Sequence, residues 1–509
     1  MKRTISLLLA CIMVAMTLAS CSENKNNSDN KETTPSNQGG NESTTSSETE
    51  TETEGETKAV ANIPEGTKFT GETFTVLTYP EDIFVWGDVD WSATEYTAEG
   101  LNDAVYERIQ QVEQLLDIDI QTAYSAGQGD TSTLANSVKT SDGAYQLAAV
   151  GIGGTFSIAS NGTIHELNRY AENGTLDLTS SWWDQNILND MSIKHMNFAL
   201  TGDIGTMYKK SIGCLMFNKK ILNENTSLED PYTLMREGKW TIDKVVEMGS
   251  EISNDLDGNG VYDQNDQYGL ICFCDMMALA AIGADVKFME KDDTDTPVDS
   301  FYSERTVGVV DKLATLMYEP KLTYSWSKNG VGEEPAFKMF QTDKSLFYYG
   351  ELHAVATMRD MESDFGIMPM PKYDEAQEGY HHCVNPNVAA VYVIPADNTK
   401  YELTGYTMDA LGAASKNLLT PAYFDKTLQG KVSRDSESQE SLDIIISTIR
   451  YDIGYLGGFG YGNMLYSMAD SYNTDLASTF KKQSKIITKS ADRTIKAFDD
   501  LAANLASQN

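Results

Sequence analysis

The sequence predicts an α/β fold with two lobes and a helical carboxyl-terminal region. Short apolar, β-branched runs alternate with amphipathic helical segments, which is typical of open sheets covered by helices. Without its polar amino-terminal part the chain still has roughly 440 residues, more than one hydrophobic core usually serves. Because 41% of all residues are apolar, we expect two separately packed halves.

Five consecutive elements are predicted for the first lobe. Residues 74–78 and 118–120 have the composition of strands, and they flank an amphipathic helix over about 102–116. A second helix is predicted at about 131–139, and the apolar run 146–152 suits a buried parallel strand.

Further elements are predicted in the rest of the chain. Thr241 is a good N-cap for a helix whose apolar residues recur on one side up to Ile252. Residues 268–273 and 388–394 are expected to form strands, and 495–505 a last amphipathic helix.

The amino terminus has the residue order of a bacterial export signal, predicted to cover residues 1–20. Lys2 and Arg3 precede an apolar stretch that is too short for a membrane-spanning helix. Cys21 and the residues before it resemble the lipobox, in which the cysteine thiol is acylated. We therefore expect lipidation at Cys21 and attachment to the extracellular face of the bacterial cell membrane. A leftover cysteine in an ordinary secretory signal is the alternative.

Residues 21–65 are predicted to be a disordered acidic tether, since they are rich in Ser, Thr, Asn and Glu. The net charge of −36 disfavours nucleic acid as a partner, and its simplest meaning is solubility outside the cell. A domain of this size needs no disulfide. We expect mostly buried free thiols at the four later cysteines, Cys214, Cys272, Cys274 and Cys383.

Candidate binding residues follow the predicted strands of the first lobe. In open α/β sheets, ligands bind beyond the carboxyl ends of the strands. This rule selects Tyr79 and Glu81 after the first strand, and Gly154 and Thr155 after the third. Plain connecting loops explain each of them about as well.

The strongest local motif is an Asp-rich loop over residues 255–266. It matches the spacing of a calcium loop, in which Gly260 supplies the sharp turn, although its last position is Asp rather than Glu. An Asx-rich turn that folds without metal is the alternative. The ligands predicted for a structural Ca²⁺ are Asp255, Asp257, Asn259, Asp263, Asp266 and the carbonyl of Val261.

Together with the lipobox and tether, four short runs resemble extracellular solute-binding proteins of family 1. These are the maltose-binding-like substrate-binding lipoproteins of ABC transporters. The runs are 101–108 (LNDAVYER), 217–220 (FNKK), 238–241 (GKWT) and 364–372 (DFGIMPMPK). The resemblance implies a type II periplasmic-binding-protein-like fold, a hinge crossed more than once, closure on a ligand, and an ABC permease as partner of a monomer.

The same resemblance implies where the lobes and part of the site lie. The chain should pass to the second lobe near 209–213 and return near 385–388. Tyr349, Gly350 and Glu351 are carried over as ligand contacts. The implied lobes are 66–208 with 388–435, and 209–387 with 436–509.

A sugar or oligosaccharide is the expected ligand. Sugars are held by aromatic faces and by carboxylate or amide hydrogen bonds, and Trp86 and Trp326 are the best aromatic candidates. A structural role is the alternative for each tryptophan. No metalloprotease, nucleophile-elbow or phosphate-loop motif is present, so a binding protein rather than an enzyme is predicted. A surface glycan-adhesion protein and a surface glycoside hydrolase remain open.

Overall fold

The computed structural model describes residues 58–83, 87–358, 361–428 and 436–506. The predicted signal, Cys21, most of the predicted tether, and Trp86 lie outside the described residues. Within these ranges, no helix combines the length and the apolar composition that crossing a bilayer requires.

The described residues contain eleven strands in three sheets. They are β1 (Glu72–Thr78), β2 (Ile118–Tyr124), β3 (Leu147–Gly151), β4 (Gly213–Asn218), β5 (Tyr268–Cys272), β6 (Met289–Lys291), β7 (Pro297–Asp299), β8 (Thr323–Ser325), β9 (Ser345–Glu351), β10 (Phe365–Met368) and β11 (Ala390–Val393). The first sheet has the order β11-β3-β1-β2 and the second β10-β4-β9-β5-β8, while β6 and β7 pair with each other.

Nineteen α-helices and a short 3-10 turn at Ile152–Gly154 lie in the same ranges. The helices are α1 (Gly100–Leu116), α2 (Ser132–Thr140), α3 (Thr155–Ser160), α4 (Asn168–Glu172), α5 (Gln185–Asp190), α6 (Met207–Lys210), α7 (Lys219–Glu224), α8 (Pro231–Arg236), α9 (Ile242–Ile252), α10 (Met276–Gly283), α11 (Glu304–Tyr318), α12 (Glu333–Gln341), α13 (His353–Met358), α14 (Tyr401–Asn417), α15 (Leu419–Leu428), α16 (Ser436–Ser447), α17 (Ile453–Leu456), α18 (Tyr461–Ser471) and α19 (Leu476–Ala506).

The first sheet is mostly parallel and contains the predicted early elements. β1 pairs in parallel with β2 and β3, and β11 adds an antiparallel edge beside β3. Every residue of β3 is buried, as predicted for a run of small and branched apolar residues. The helices predicted at 102–116 and 131–139 are α1 and α2. The sequence therefore predicted the type and order of these elements correctly.

The second sheet positions the candidate site. β5 runs parallel to β8 and β9, whereas β4 pairs antiparallel with β9 and β10. The carboxyl ends of β5, β8 and β9 consequently meet at one edge of this sheet. The predicted N-cap of α9 is confirmed, because the side chain of Thr241 accepts a hydrogen bond from the Lys244 backbone N–H at 3.3 Å.

Two segments connect the first sheet with the second, residues 209–213 and 383–388. We call them the first and second crossing segments. Ile212 and Val384 form an antiparallel bridge, so the two crossing segments run side by side. The exact lobe boundaries implied by the resemblance stay a prediction.

The apolar cores of the two lobes are in contact with each other. Buried apolar residues form one connected cluster that includes side chains of both sheets, with a small satellite cluster around α1 and α15. Part of the connection is α19, which is longer than the helix predicted at 495–505. Near its end Phe498 packs edge-on against Phe156 and Phe198, and near its start Phe480 packs against Phe301. One helix thus contributes apolar side chains to both lobes.

The cysteines of the described region are free and buried, as predicted. They lie in β4, at the end of β5, just after β5, and in the second crossing segment. The four residues are Cys214, Cys272, Cys274 and Cys383.

Candidate ligand-binding site

A cavity of about 110 Å³ lies at the carboxyl ends of β5, β8 and β9. Phe273 and Asp275 follow β5, and Trp326 follows β8 directly. Glu333, at the start of α12, and Val388, from the second crossing segment, line the cavity as well. The remaining lining residues belong to the end of β9, namely Tyr348, Tyr349, Gly350 and Glu351. The cavity therefore occupies the place where α/β sheets usually bind ligands.

Four of the residues selected from the sequence line this one cavity. Trp326 was selected as an aromatic residue in a polar stretch, and Tyr349, Gly350 and Glu351 were carried over from the family resemblance. Gly350 is needed for close packing, since a Cβ there would lie 2.8 Å from a ring carbon of Tyr348. The structure thus brings together residues whose shared role was only a prediction.

The candidates from the first lobe do not line this cavity. Tyr79 is buried after β1, beside the Gly129 backbone. Glu81 is exposed, and its carboxylate accepts a hydrogen bond from the Tyr124 hydroxyl. Gly154 ends the 3-10 turn, and the side chain of Thr155 is buried at the start of α3. Placing these candidates in the ligand site therefore stays a prediction.

One wall of the cavity is aromatic. The rings of Phe273 and Trp326 are stacked, with centroids 4.0 Å apart and planes 20° from parallel. The indole Nε1–H of Trp326 is buried, and it has no hydrogen-bond partner among the described residues. Because such donors normally find a partner when buried, this wall offers both a flat apolar face and an unused hydrogen bond.

Three carboxylates form the polar part of the cavity, those of Asp275, Glu333 and Glu351. The side-chain amide of Asn385 donates to Asp275 at 2.7 Å and to Glu351 at 2.9 Å, so it lies between them. Glu333 is within 2.9 Å of His353 Nε2, while His353 Nδ1 is 3.8 Å from Glu351. Asn385 belongs to the second crossing segment, and it therefore ties the cavity to the connection between the lobes.

The electrostatics of this group follow from its burial. Removal from water and then the nearby charge of Glu351 raise the pKa of Asp275 well above its usual value. Burial also raises the pKa of Glu351, an effect that the neighbouring His353 opposes. The Tyr349 hydroxyl lies beside Asp275, yet neither it nor Asp275 Oδ1 makes a hydrogen bond of normal geometry among the described residues. These atoms are available to a bound molecule.

Sequence reasoning missed Phe273, Asp275, Glu333 and Asn385. A signal for two of them existed, because 268–273 was predicted to be a strand and Asp275 comes directly after it. The rule that ligands bind beyond strand ends would have selected Asp275. Nothing in the local sequence marks Glu333 or Asn385, since their position depends on how distant segments pack.

The Asp-rich loop is folded with several of its predicted ligands close together. Side-chain oxygens of Asp255, Asp257 and Asp266 all lie within 4.8 Å of one another, while Asp263 is not part of this group. Backbone N–H groups of Gly260 and Gly258 donate to Asp255 at 2.7 and 2.8 Å, and they lower its pKa. The carboxylates fit a hard cation, and the same hydrogen bonds also fit an Asx turn without one.

Comparison with known proteins identifies the fold. No family model matches the chain, and no curated protein matches it. Solved structures match the chain over most of its length. A substrate-binding protein of an ABC transporter from Listeria monocytogenes, in complex with cycloalternan, has a TM-score of 0.53 at 12% identity, covering 84% of this chain and 99% of that one. The chain has the two-lobe fold of periplasmic substrate-binding proteins.

Two further structures share this substrate-binding-protein fold. A solute-binding protein of an ABC transporter from Thermotoga lettingae, bound with α-D-tagatose, has a TM-score of 0.53 at 13% identity, covering 83% of this chain and 100% of that one. UgpB from Mycobacterium tuberculosis, in complex with glycerophosphocholine, has a TM-score of 0.53 at 14% identity, covering 81% and 98%. The fold class predicted from the sequence is confirmed.

Proposed function

We propose that the protein captures an extracellular solute by closure of its two lobes and delivers it to an ABC importer without altering it. The observation that carries the proposal is the position of the cavity. It lies at the carboxyl edge of the second sheet and is bounded by Val388 of the second crossing segment. A ligand there contacts both a lobe and the segment about which the lobes would move.

The second crossing segment also contacts the first lobe. The side chain of Gln128 donates to the Asn387 carbonyl oxygen at 3.0 Å, and Pro386 packs close to Gly153. Asn385 in the same segment holds Asp275 and Glu351 of the cavity. Ligand contacts at these carboxylates can therefore bias the relative position of the lobes, which is what closure requires.

The proposed ligand class is a sugar or oligosaccharide. The face of Trp326 that Phe273 does not cover suits the C–H surface of a sugar ring, and the carboxylates of Asp275 and Glu351 suit hydroxyl groups. Two structures of the same fold hold carbohydrates, namely cycloalternan and tagatose. Because those likenesses are at low identity, they support the ligand class through the fold alone.

The proposal includes the location of the protein. Acylation of Cys21 would attach a monomer to the extracellular face of the cell membrane, and residues 21–65 would act as a tether. The permease partner would then be in the same membrane. Globomycin treatment of expressing cells, followed by mass analysis of the mature amino terminus, tests this part. In untreated cells, cleavage before Cys21 and an added lipid mass are expected. Globomycin, which inhibits the lipoprotein signal peptidase, should block that cleavage.

A ligand screen with product analysis tests the proposal. Thermal-shift measurements over mono- and oligosaccharides, amino acids and polyamines should find a stabilising solute, and calorimetry should give one site per chain. The same solute should be recovered unchanged after prolonged incubation. Release of shorter sugars would favour the glycoside hydrolase alternative, and binding to insoluble polymer without binding to short ligands would favour glycan adhesion.

We also propose that Ca²⁺ binds the Asp-rich loop in a structural role. Asp255, Asp257 and Asp266 would supply carboxylate oxygens to the ion. Addition of Ca²⁺ to chelator-treated protein should raise its melting temperature, and Asp257→Asn should reduce that response. Asp311→Asn, at an exposed position of α11, is the matched control. An unchanged melting temperature together with no bound ion by calorimetry would refute the site.

A further inference from the structure

The charged side chains that line the cavity are all acidic. Asp275, Glu333 and Glu351 line it, and none of its lining residues in the described chain is Lys or Arg. The imidazole of His353 contacts Glu333 and Glu351. Even with His353 protonated, three ionised carboxylates would leave an excess of two negative charges. Buried charges of one sign require a counter-charge or a proton.

Two buried polar atoms lie beside each other in the cavity without forming a hydrogen bond of normal geometry. Asp275 is 4% exposed and Tyr349 is 2% exposed, and both line the cavity. Asp275 Oδ1 and the Tyr349 hydroxyl make no hydrogen bond of normal geometry among the described residues. A buried acceptor without a donor is costly, so Asp275 Oδ1 favours a bound molecule that donates a hydrogen bond to it.

We infer that the ligand presents a cationic nitrogen to Asp275 and Glu351, with its body against the face of Trp326. The inference rests on the proposed function and narrows its ligand class to amine-bearing solutes such as amino sugars. An ammonium group donates up to three hydrogen bonds and is attracted by aromatic faces. It would donate to Asp275 Oδ1 and neutralise the two carboxylates between which the Asn385 amide lies.

The raised pKa values of Asp275 and Glu351 agree with this arrangement. Burial favours a bound proton on both carboxyl groups, and the charge of Glu351 adds to this effect at Asp275. A ligand cation would replace such protons. A neutral polyol offers no such compensation. It would have to bind the carboxylates in protonated form, and it would gain only neutral hydrogen bonds.

A metal ion is the competing source of positive charge. Ligand atoms of Glu333, Glu351 and His353 lie within 4.8 Å of one another. However, His353 Nε2 is 2.9 Å from Glu333, and its Nδ1 faces Glu351 at 3.8 Å. The imidazole thus links two carboxylates, and a metal would have to break this link. An organic cation at Asp275 leaves it intact.

Calorimetry with ligands matched in shape tests the inference. Glucosamine, glucose and N-acetylglucosamine differ at one ring position, and of these three sugars only glucosamine carries a positive charge. Spermidine and choline carry positive charge on molecules that are not sugars. At a pH where its amine is protonated, glucosamine should bind at least about tenfold more tightly than both neutral sugars, as expected for charge-assisted hydrogen bonds. Preferential binding of spermidine or choline instead would support the cationic nitrogen and assign it to a polyamine or a quaternary ammonium.

Substitution of the carboxylates tests whether they cause the preference for the amine. Asp275→Asn and Glu351→Gln should abolish the preference for the amine, whereas Glu247→Gln, on the exposed face of α9, should leave it unchanged. If one of the two buried variants fails to fold, the other tests the same point, and Glu333→Gln, which removes a third negative charge from a less buried wall position, should reduce the preference. Retention of the preference in the folded variants would overturn the inference.

The failure of the inference differs from failure of the proposed function. Equal affinity for glucose, N-acetylglucosamine and glucosamine would overturn the cationic nitrogen and leave solute capture intact. Stabilisation by Zn²⁺ alone, without any response to amines, would assign the charge to a metal and overturn it too. Absence of binding by every sugar, amino acid and amine would overturn both.

Discussion

The backbone N–H of Asn385 donates to the carbonyl oxygen of Ser211 at 2.9 Å. This bond joins the second crossing segment to the first one. The side chain of the same residue lies between the carboxylates of Asp275 and Glu351. Asn385 therefore contacts both the first crossing segment and two carboxylates that line the cavity.

The substitution Asn385→Asp tests how much the amide between the carboxylates contributes. It keeps the shape of the side chain but places a third carboxylate against Asp275 and Glu351 and removes both donated hydrogen bonds. We expect a loss of unfolding free energy of at least about 2 kcal/mol in urea denaturation, because a buried polar group loses its partner. Asn387→Asp, two residues away and exposed, should change the stability little. Equal effects of both would contradict the role of Asn385.

Substitutions of Trp326 and Trp240 should differ in effect, the first weakening ligand binding and the second lowering stability. Trp326 lines the cavity, and Trp326→Ala should weaken ligand binding by more than about tenfold through loss of the aromatic face. Trp240 is fully buried, and its indole donates to the Pro369 carbonyl oxygen at 2.9 Å. Trp240→Phe should therefore lower the melting temperature and leave the affinity unchanged. Calorimetry and thermal melts of both variants check this contrast.

The stability of the protein should fall in acid partly because of His382. Its Nε2 accepts a hydrogen bond from the Met370 N–H at 3.0 Å, and Nδ1 lies 2.7 Å from the Thr448 hydroxyl. Burial and then the neighbouring His381 lower the pKa of His382 to about 3. The unfolded chain takes up this proton near its usual pKa of about 6.5, so stability is lost as the pH falls from there towards about 3.

Urea denaturation across this pH range measures the effect. Between pH values of about 6.5 and about 3, the single proton of His382 should contribute up to about 1.4 kcal/mol per pH unit to the fall in unfolding free energy. His382→Gln removes this contribution, so its unfolding free energy should fall less steeply with decreasing pH. His195→Gln is the control, because the His195 side chain is 78% exposed. Parallel curves for the parent protein and His382→Gln would show that this imidazole does not titrate as described.

The two ends of α19 are anchored by aromatic residues, and the anchoring is testable. Phe498 is fully buried, with ring centroids 5.6 Å from Phe156 and 5.3 Å from Phe198. Phe498→Ala should cost about 3–5 kcal/mol of unfolding free energy, as large-to-small core substitutions do. Ile486→Ala on the same helix should cost less than about 0.5 kcal/mol, since Ile486 is 64% exposed. Comparable losses in chemical denaturation would contradict this account of α19.

The sequence allowed the fold class and the early elements to be predicted because their cause is local. The run that became β3 is apolar throughout, and the apolar residues of α1 recur at helical spacing. The start of α19 could not be predicted in this way. Between Leu476 and Ala491 its sequence is mainly polar, and Phe480 is held by a residue nearly two hundred positions earlier, Phe301.

The candidate site was predictable only in part for the same reason. Trp326 stands out in a polar stretch, and the segment containing Glu351 carries a family resemblance. Asn385 has no local signal, because its significance comes from lying between Asp275 and Glu351. The apolar contacts between the lobes also arise from distant segments, which the length of the chain does not reveal.

The central claim is that the lobes close on a ligand held at the cavity beside the second crossing segment. Small-angle X-ray scattering of the protein, with and without a saturating solute identified by the ligand screen, measures this most directly. The account predicts a smaller radius of gyration with the solute, and Trp326→Ala should need a higher solute concentration for the same contraction. An identical scattering curve with and without a solute that calorimetry shows to be bound would contradict it.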